Sequence, residues 1–294
     1  MLEYKTVSAL CRAAEESGSA ISALVLADQA EQLELDASEV YARMERRLSV
    51  MEEAIKTGLD GALRSASGLT GGDAARMWGY AAGGGICGGF VGRSIARALA
   101  VSENNAAMGR IVAAPTAGSC GILPGTVASL LAEGRCTREA AVMSLFTAGA
   151  FGMVIAQRAT IAGAEGGCQA ECGSASAMAA AALAELMGGS PGQCAEACAM
   201  AIKSQLGLVC DPVAGLGEIP CIKRNASGVM IAFAAAEMAL AGIKSKIPAD
   251  ECIDAMRAVG ESLPSSLRET ARGGLAVTPT GELLRRQVFG EREK

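Results

Sequence analysis

Residues 36–58 read D-A-S-E-V-Y-A-R-M-E-R-R-L-S-V-M-E-E-A-I-K-T-G, and this stretch decides the fold class. Val40, Met44, Leu48, Met51 and Ile55 recur at steps of three and four, which stacks them on one face of an α-helix while charged residues fill the other. Asp36-Ala-Ser-Glu39 has the spacing of a capping box, and Gly58 supplies the stop. Further along, Ser190-Pro191 places a cap and a first-turn proline ahead of Cys194, Ala197, Cys198, Ala201, Ile202 and Leu206, a second stripe that runs to Gly207. That stripe predicts Cys194 and Cys198 on a buried face.

Alternating Val/Ile/Thr/aromatic runs, the mark of strands, are scarce, and aromatic residues are 3% of the chain. The predicted fold is therefore all-α, an Ala- and Gly-rich helical domain. Residues 1–60 are the more charged part, yet no Pro/Ser-rich linker sets them off, so a single domain over 1–294 is expected. Gly-rich joints interrupt the helices at 67–73, 83–89, 115–125, 165–171 and 210–221. Ala-rich helices pack closely, which lets such joints converge on a central site.

Composition removes several classes of function. Lys and Arg number 26 against 31 Asp and Glu, a net charge of −5, which offers no basic face to nucleic acid. Histidine is absent, so Ser-His and Cys-His nucleophiles and histidine metal sites are excluded within this chain. Acid–base chemistry must come from carboxylates, lysines, hydroxyls, a metal or a partner chain. Met1-Leu-Glu-Tyr-Lys opens directly into a soluble helix pattern, with no signal peptide expected, so the eleven cysteines point to a reducing cytoplasm and not to a disulfide framework. Residues 111–132 and 140–157 carry no charge, but Pro115, Gly118, Gly121, Pro124 and Gly125 would break the first as a spanning helix, and the second is rich in Ala and Gly. Both are read as buried segments of a soluble domain, with no membrane partner.

Three cysteines stand where a packed core has little reason to place them. Cys168 lies in E-G-G-C-Q-A-E (165–171), and Cys210 and Cys221 close the two ends of C-D-P-V-A-G-L-G-E-I-P-C (210–221). Loops and helix starts of this kind leave the backbone approachable, so a thiolate there can face a metal. Cys120, in a Gly/Pro loop, and Cys172, four residues after Cys168, remain in contention on spacing alone, because no compact C-x-x-C ferredoxin pattern is present. Cys11, Cys87, Cys136 and Cys252 have no ligand partner at close spacing.

Two loops offer groups for a small anion. P-T-A-G-S-C-G (115–121) presents the Thr116 and Ser119 hydroxyls with free backbone N–H groups able to hold a carboxylate, and Ser67, Thr70, Gly71 and Gly72 read the same way. Neither is a Walker loop; tight turns between packed helices are the alternative reading of both. G-G-G-I-C-G-G (83–89) resembles a phosphate cup, but no lysine has an identifiable Schiff-base setting, so pyridoxal phosphate is not expected.

Taken together, S-G-L-T-G-G-D (67–73), A-V-S-E-N-N-A-A-M-G-R-I-V-A-A-P-T-A-G-S-C-G (100–121), the two cysteine segments and L-R-E-T-A-R-G-G-L-A-V-T-P-T-G (267–281) resemble the α subunit, or catalytic domain, of the iron–sulfur-dependent L-serine dehydratases, the L-serine ammonia-lyases. The resemblance implies a [4Fe–4S] cluster on Cys168, Cys210 and Cys221, no ligand role for Cys172, and one iron left without a protein ligand. It further implies conversion of L-serine to pyruvate and ammonia, with that open iron as Lewis acid. Ser67, Thr70, Gly71, Thr116, Ala117, Gly118 and Ser119 are the substrate-binding candidates, and Arg268 is a further candidate carboxylate partner, with a surface ion pair as the alternative reading. Lys203, Lys223, Glu165 and Glu171 lie closest in sequence to the ligands, but none is assigned as the base. Some members end in a cysteine that caps the open iron; the tail F-G-E-R-E-K has none, so tail autoinhibition is not expected. A separate β subunit is expected to complete the enzyme. The alternatives are a related L-cysteine desulfidase and a non-enzymatic iron–sulfur carrier or sensor.

Overall fold

The computed structural model describes residues 4–290, so the tail reading on residues 291–294 and the first three residues of the leader reading lie outside the described residues. Among the described residues no strand occurs; the only β feature is an isolated parallel bridge between Cys210 and Arg268. The α-helices run in the order α1 (Val7–Ser17), α2 (Ile21–Leu33), α3 (Ala37–Gly58), α4 (Asp73–Ala82), α5 (Gly88–Ala106), α6 (Ser129–Ala132), α7 (Arg138–Arg158), α8 (Gly163–Gly166), α9 (Ser174–Leu186), α10 (Pro191–Lys203), α11 (Cys221–Leu240), α12 (Ala249–Ser262) and α13 (Pro279–Phe289). The all-α expectation therefore holds.

α9 is the axis of the bundle. Every residue from Ser174 to Ala184 is buried, and the helix packs against α7, α10 and α11. Alanine makes this possible, because short side chains let helix axes approach while most of the buried surface remains apolar. α7 is long and apolar enough to cross a membrane, and two thirds of its most apolar window is buried inside the protein, against α9, α2 and α3.

The two anchor helices of the sequence reading are present, with corrections at their ends. Asp36 does sit at the N-cap of α3, but its side chain caps nothing. Glu39, the other half of the expected capping box, pairs with Arg43 one turn later at 2.8 Å. α10 carries the complete box instead: Ser190 accepts from Gln193 N, and the Gln193 side chain returns to the Ser190 N–H at 2.9 Å. Cys194 and Cys198 are fully buried, as the stripe predicts. The helix ends at Lys203 and not at Gly207. Ser204 turns its hydroxyl onto the Met200 carbonyl, Gln205 N shifts to the Ile202 carbonyl, and Leu206 is left exposed.

Two single wide turns interrupt the regular helices. Pro124–Ala128 leads into α6, and Gln169–Gly173 leads into α9; both have π-helical hydrogen bonding, a local device often found at functional sites.

Candidate functional site

The E-G-G-C segment enters the core through Gly167, whose φ of +75° and contact with the Leu208 carbonyl exclude a side chain. Cys168 follows at the cap of the second π turn. Gln169, fully buried, fixes it there: Nε2 donates to the Gly166 and Met256 carbonyls at 2.9 Å, and Oε1 accepts from Gly207 N at 2.9 Å. Cys210 is pinned by the 267–281 segment, its N–H on the Leu267 carbonyl at 2.9 Å and its carbonyl receiving Glu269 N at 2.8 Å. Cys221 is the first residue of α11.

The three thiols face one another's field. Burial is the main force raising the Cys210 and Cys221 thiols, Cys221 to about 12, and a thiolate at Cys168 pushes both higher. Cys168 goes the other way: its sulfur is in hydrogen-bond contact with that of Cys172 at 3.4 Å, and the Arg224 guanidinium adds positive charge, so its pKa falls. Cys172 remains protonated in exchange. Cys120 belongs elsewhere, with its sulfur toward the Val101 carbonyl and Ser102 of α5 and its thiol raised to about 12 by burial. Of the two cysteines that spacing left open, the structure therefore brings Cys172 to the group and leaves Cys120 out. No three His, Cys, Asp or Glu side chains among the described residues converge on a single ion. Three buried thiols whose charged forms would repel one another, and which do not meet at one point, suit a larger soft polycationic group, whose ligand sulfurs stand farther apart.

Around the thiols the polar groups are arranged for charge. Arg224 donates to the Val209 carbonyl and to Asp211 Oδ1, both at 2.8 Å, and reaches the Cys168 sulfur. Asp211 is completed by Leu275 N at 2.8 Å. Arg268 Nε, buried, has no hydrogen-bond partner among the described residues. Glu171, on the π turn, is half-buried; burial lifts its carboxyl above the ordinary range, and a hydrogen bond from Thr116 opposes that rise. A methyl group placed on Gly163 would stand 3.2 Å from Cys210 Sγ and 2.8 Å from Glu171 Oε2, so a glycine cradle joins the carboxylate to the thiols.

The 115–121 loop lies against the same carboxylate. Thr116 Oγ1 and Ser119 Oγ are 3.1 Å apart, and the N–H groups of Ala117, Gly118 and Ser119 meet no acceptor among the described residues. Asn105 holds the loop from α5 through the Ala117 carbonyl at 3.3 Å. Asn225, fully buried on α11, accepts from Gly121 N at 2.8 Å and donates to the Gly118 carbonyl at 2.7 Å and the Cys221 carbonyl at 2.9 Å. One side chain thus binds the loop to a cysteine of the thiol group. Replacing Asn225 with alanine removes three hydrogen bonds to backbone groups, two of them buried, at a cost of about 2–4 kcal/mol. A lowered unfolding midpoint is the expected result; an unchanged midpoint would remove Asn225 from this role.

The 67–73 loop is more self-contained. Ser67 Oγ is taken up by Ser65 and Leu69 N, and Thr70 Oγ1 donates to buried Glu218 Oε2 at 2.7 Å. Glu103 of α5 accepts from Gly72, Asp73 and Ala74 N–H groups and so caps α4. Gly71 N meets no acceptor among the described residues. Lys223 pairs with Asp73 at 2.6 Å, Lys203 with the Ser245 carbonyl at 2.5 Å, and exposed Glu165 with Thr160 at 2.6 Å, so these three point away from the thiols. The surface cleft lined by Cys11, Glu15, Glu196 and Asp250 contains none of the site residues.

Fold and site together define a helical protein with a buried thiol centre beside a loop of free backbone N–H groups. Residues 16–276 match the family model of the serine dehydratase alpha chain, and the chain belongs to that family. It is 50% identical over 288 residues to a probable L-serine dehydratase alpha chain of Bacillus subtilis, covering 98% of this chain and 96% of the relative. It is 42% identical over 277 residues to the L-serine dehydratase alpha chain of Peptoniphilus asaccharolyticus, covering 94% and 95%. L-serine dehydratase TdcG of Escherichia coli is 44% identical over 182 residues, which span 61% of this chain and 40% of that protein.

Proposed function

We propose that this chain is the α subunit of an L-serine ammonia-lyase, which eliminates water from L-serine to give pyruvate and ammonia at a [4Fe–4S] cluster on Cys168, Cys210 and Cys221. The observation that carries the reading is the placement of three buried, electrostatically coupled thiols beside a loop whose free N–H groups fit a carboxylate, the two joined by Asn225. The names of the full-length relatives support serine as substrate, and their designation as alpha chains supports a separate β subunit.

When bound, a cluster with three protein thiolates supplies a Lewis-acidic iron with an open position, which makes a β-hydroxyl a better leaving group. The chain's own groups do the rest. Ala117, Gly118 and Ser119 N–H donors hold the substrate carboxylate, with Arg268 Nε as a further donor. Arg224 offsets the charge of the thiolates while Asp211 fixes its orientation. Because the charge at the centre is compensated by fixed groups, binding needs little rearrangement. The aminoacrylate released by elimination tautomerises and hydrolyses to pyruvate and ammonia in water. The site lies within a chain that contains no histidine, so the proton acceptor is a carboxylate, a lysine or a hydroxyl of this chain, or a group from the β subunit.

Anaerobic reconstitution with iron and sulfide, followed by a pyruvate assay on L-serine with and without the β subunit, tests this. A brown protein with about four irons per chain and pyruvate formation in the assembled enzyme is expected. A colourless protein would rule out the cluster, and a higher initial rate of sulfide release from L-cysteine than of pyruvate from L-serine would favour the desulfidase.

A further inference from the structure

The substrate of the proposed reaction is a zwitterion, so a site that holds its carboxylate must also place an acceptor for the ammonium group one bond away. Carboxylates are the acceptors available near the thiols, and most are already committed. Asp211 is engaged by Arg224 and Leu275 N, Glu218 by Thr70, and Glu165 is turned outward to Thr160. Glu269 is exposed.

Glu171 differs from all of these. Its carboxylate is half-buried, and the ion pairs formed among the described residues leave it out; the guanidinium of Arg224, whose charge reaches it, is spent on Asp211, Val209 and Cys168. It faces two places where side chains are missing. A methyl group built on Gly118 would stand 3.3 Å from Oε1, and one built on Gly163 would stand 2.8 Å from Oε2. Gly118 is the middle of the three free N–H groups, so donors for a carboxylate and an acceptor for an ammonium adjoin across it. Thr116, on the same loop, opposes the rise that burial causes in this carboxyl.

We propose that Glu171 is the residue that receives the α-ammonium group of the substrate, selecting amino acids over the corresponding hydroxy acids. This rests on the assignment of L-serine as substrate. The glycine cradle then has a reason: any side chain at Gly118 or Gly163 would fill the space the ammonium group takes beside the carboxylate. Binding exchanges a buried charge without an ion-pair partner for a charge-assisted hydrogen bond, the kind of contact that discriminates strongly against a ligand lacking the donor.

The test compares L-serine with 3-hydroxypropanoate, which keeps the carboxylate and the β-hydroxyl but has hydrogen in place of ammonium. Affinity for the assembled, cluster-loaded enzyme is measured from initial rates, as KM for L-serine and as the competitive inhibition constant for 3-hydroxypropanoate, with visible absorbance confirming equal cluster loading in each variant. Wild type is expected to bind L-serine at least about tenfold more tightly than 3-hydroxypropanoate. Glu171→Gln is expected to weaken L-serine by at least about tenfold and to leave 3-hydroxypropanoate within about twofold. Equal losses for both ligands, or no loss for L-serine, would overturn the proposal while leaving serine dehydration intact. Should E171Q not load the cluster, Glu171→Asp decides: retention of charge on a shorter arm predicts an intermediate loss for L-serine alone, and parallel changes for both ligands refute it. Failure of the wild type to bind L-serine at all would overturn the substrate assignment, and this inference with it; pyruvate formation without discrimination between the two ligands would overturn this inference only.

Discussion

Replacing Cys210 with serine is expected to abolish cluster loading and to lower L-serine turnover by about a thousandfold or more, the scale on which loss of several kcal/mol of Lewis-acid stabilisation acts. Cys210 is chosen because its backbone is clamped on both sides, by the Leu267 carbonyl and by Glu269 N, so a serine there keeps its position and changes only the donor. A hydroxyl is a poor ligand for iron in a sulfide cluster, and two remaining thiolates do not hold the cube. The comparison with Cys172→Ser gives the experiment its edge. Cys172 lies 3.4 Å from Cys168, but that contact and burial push its thiol well above the ordinary range, so its replacement should leave iron content near the wild-type value. Iron and acid-labile sulfide assays on both variants measure this. Loss of iron in C172S with retention in C210S would reverse the ligand assignment.

Gly58→Ala is expected to be the most damaging single-methyl change in the scaffold. The position a Cβ would take lies far inside van der Waals contact with the carbonyl of Ala100, where α3 crosses α5. The obstacle is backbone, which cannot rotate away, so the two helices must separate. Overpacking of this kind costs about 3 kcal/mol, equivalent to a fall of roughly 5–10 °C in Tm for a chain of this size. α5 also carries Glu103, which caps α4, and Asn105, which holds the 115–121 loop, so separation of α3 from α5 is transmitted to both substrate loops. Differential scanning calorimetry of the purified variant checks the stability; an unchanged midpoint would show that the crossing has more freedom than its geometry indicates.

Much of the architecture was legible in the residues because helix periodicity and punctuation agree. The Val40–Ile55 stripe and the Ser190-Pro191 start are local signals, and local signals survive folding. Helix ends were less legible. At Asp36 the spacing of a capping box is present, but Glu39 has a nearer use in Arg43, and at Ser204 a back-bonded hydroxyl closes α10 before the glycine that marked its end. In the site, the Gly/Pro-rich segments singled out Cys168, Cys210 and Cys221 because such joints are visible in sequence. The residues that bind those joints together were not. Arg224 and Asn225 follow Cys221 at i+3 and i+4 and so share its helix face, a spacing that was available as a signal; what they touch is 13 and 107 residues away. Ser67 and Thr70 illustrate the reverse case, since hydroxyls that looked free in sequence are used by Ser65, Leu69 and Glu218. Only tertiary structure reveals such commitments.

The clasp made by Asn225 has a consequence for maturation of the protein. The first turn of α11 supplies Cys221, and the same turn supplies the side chain that saturates Gly118 and Gly121. If that turn frays, a sulfur leaves the centre and the carboxylate-holding loop loses its anchor in a single event. On the proposed reading, metal capture and substrate binding thus depend on one element, the turn that carries both Cys221 and Asn225.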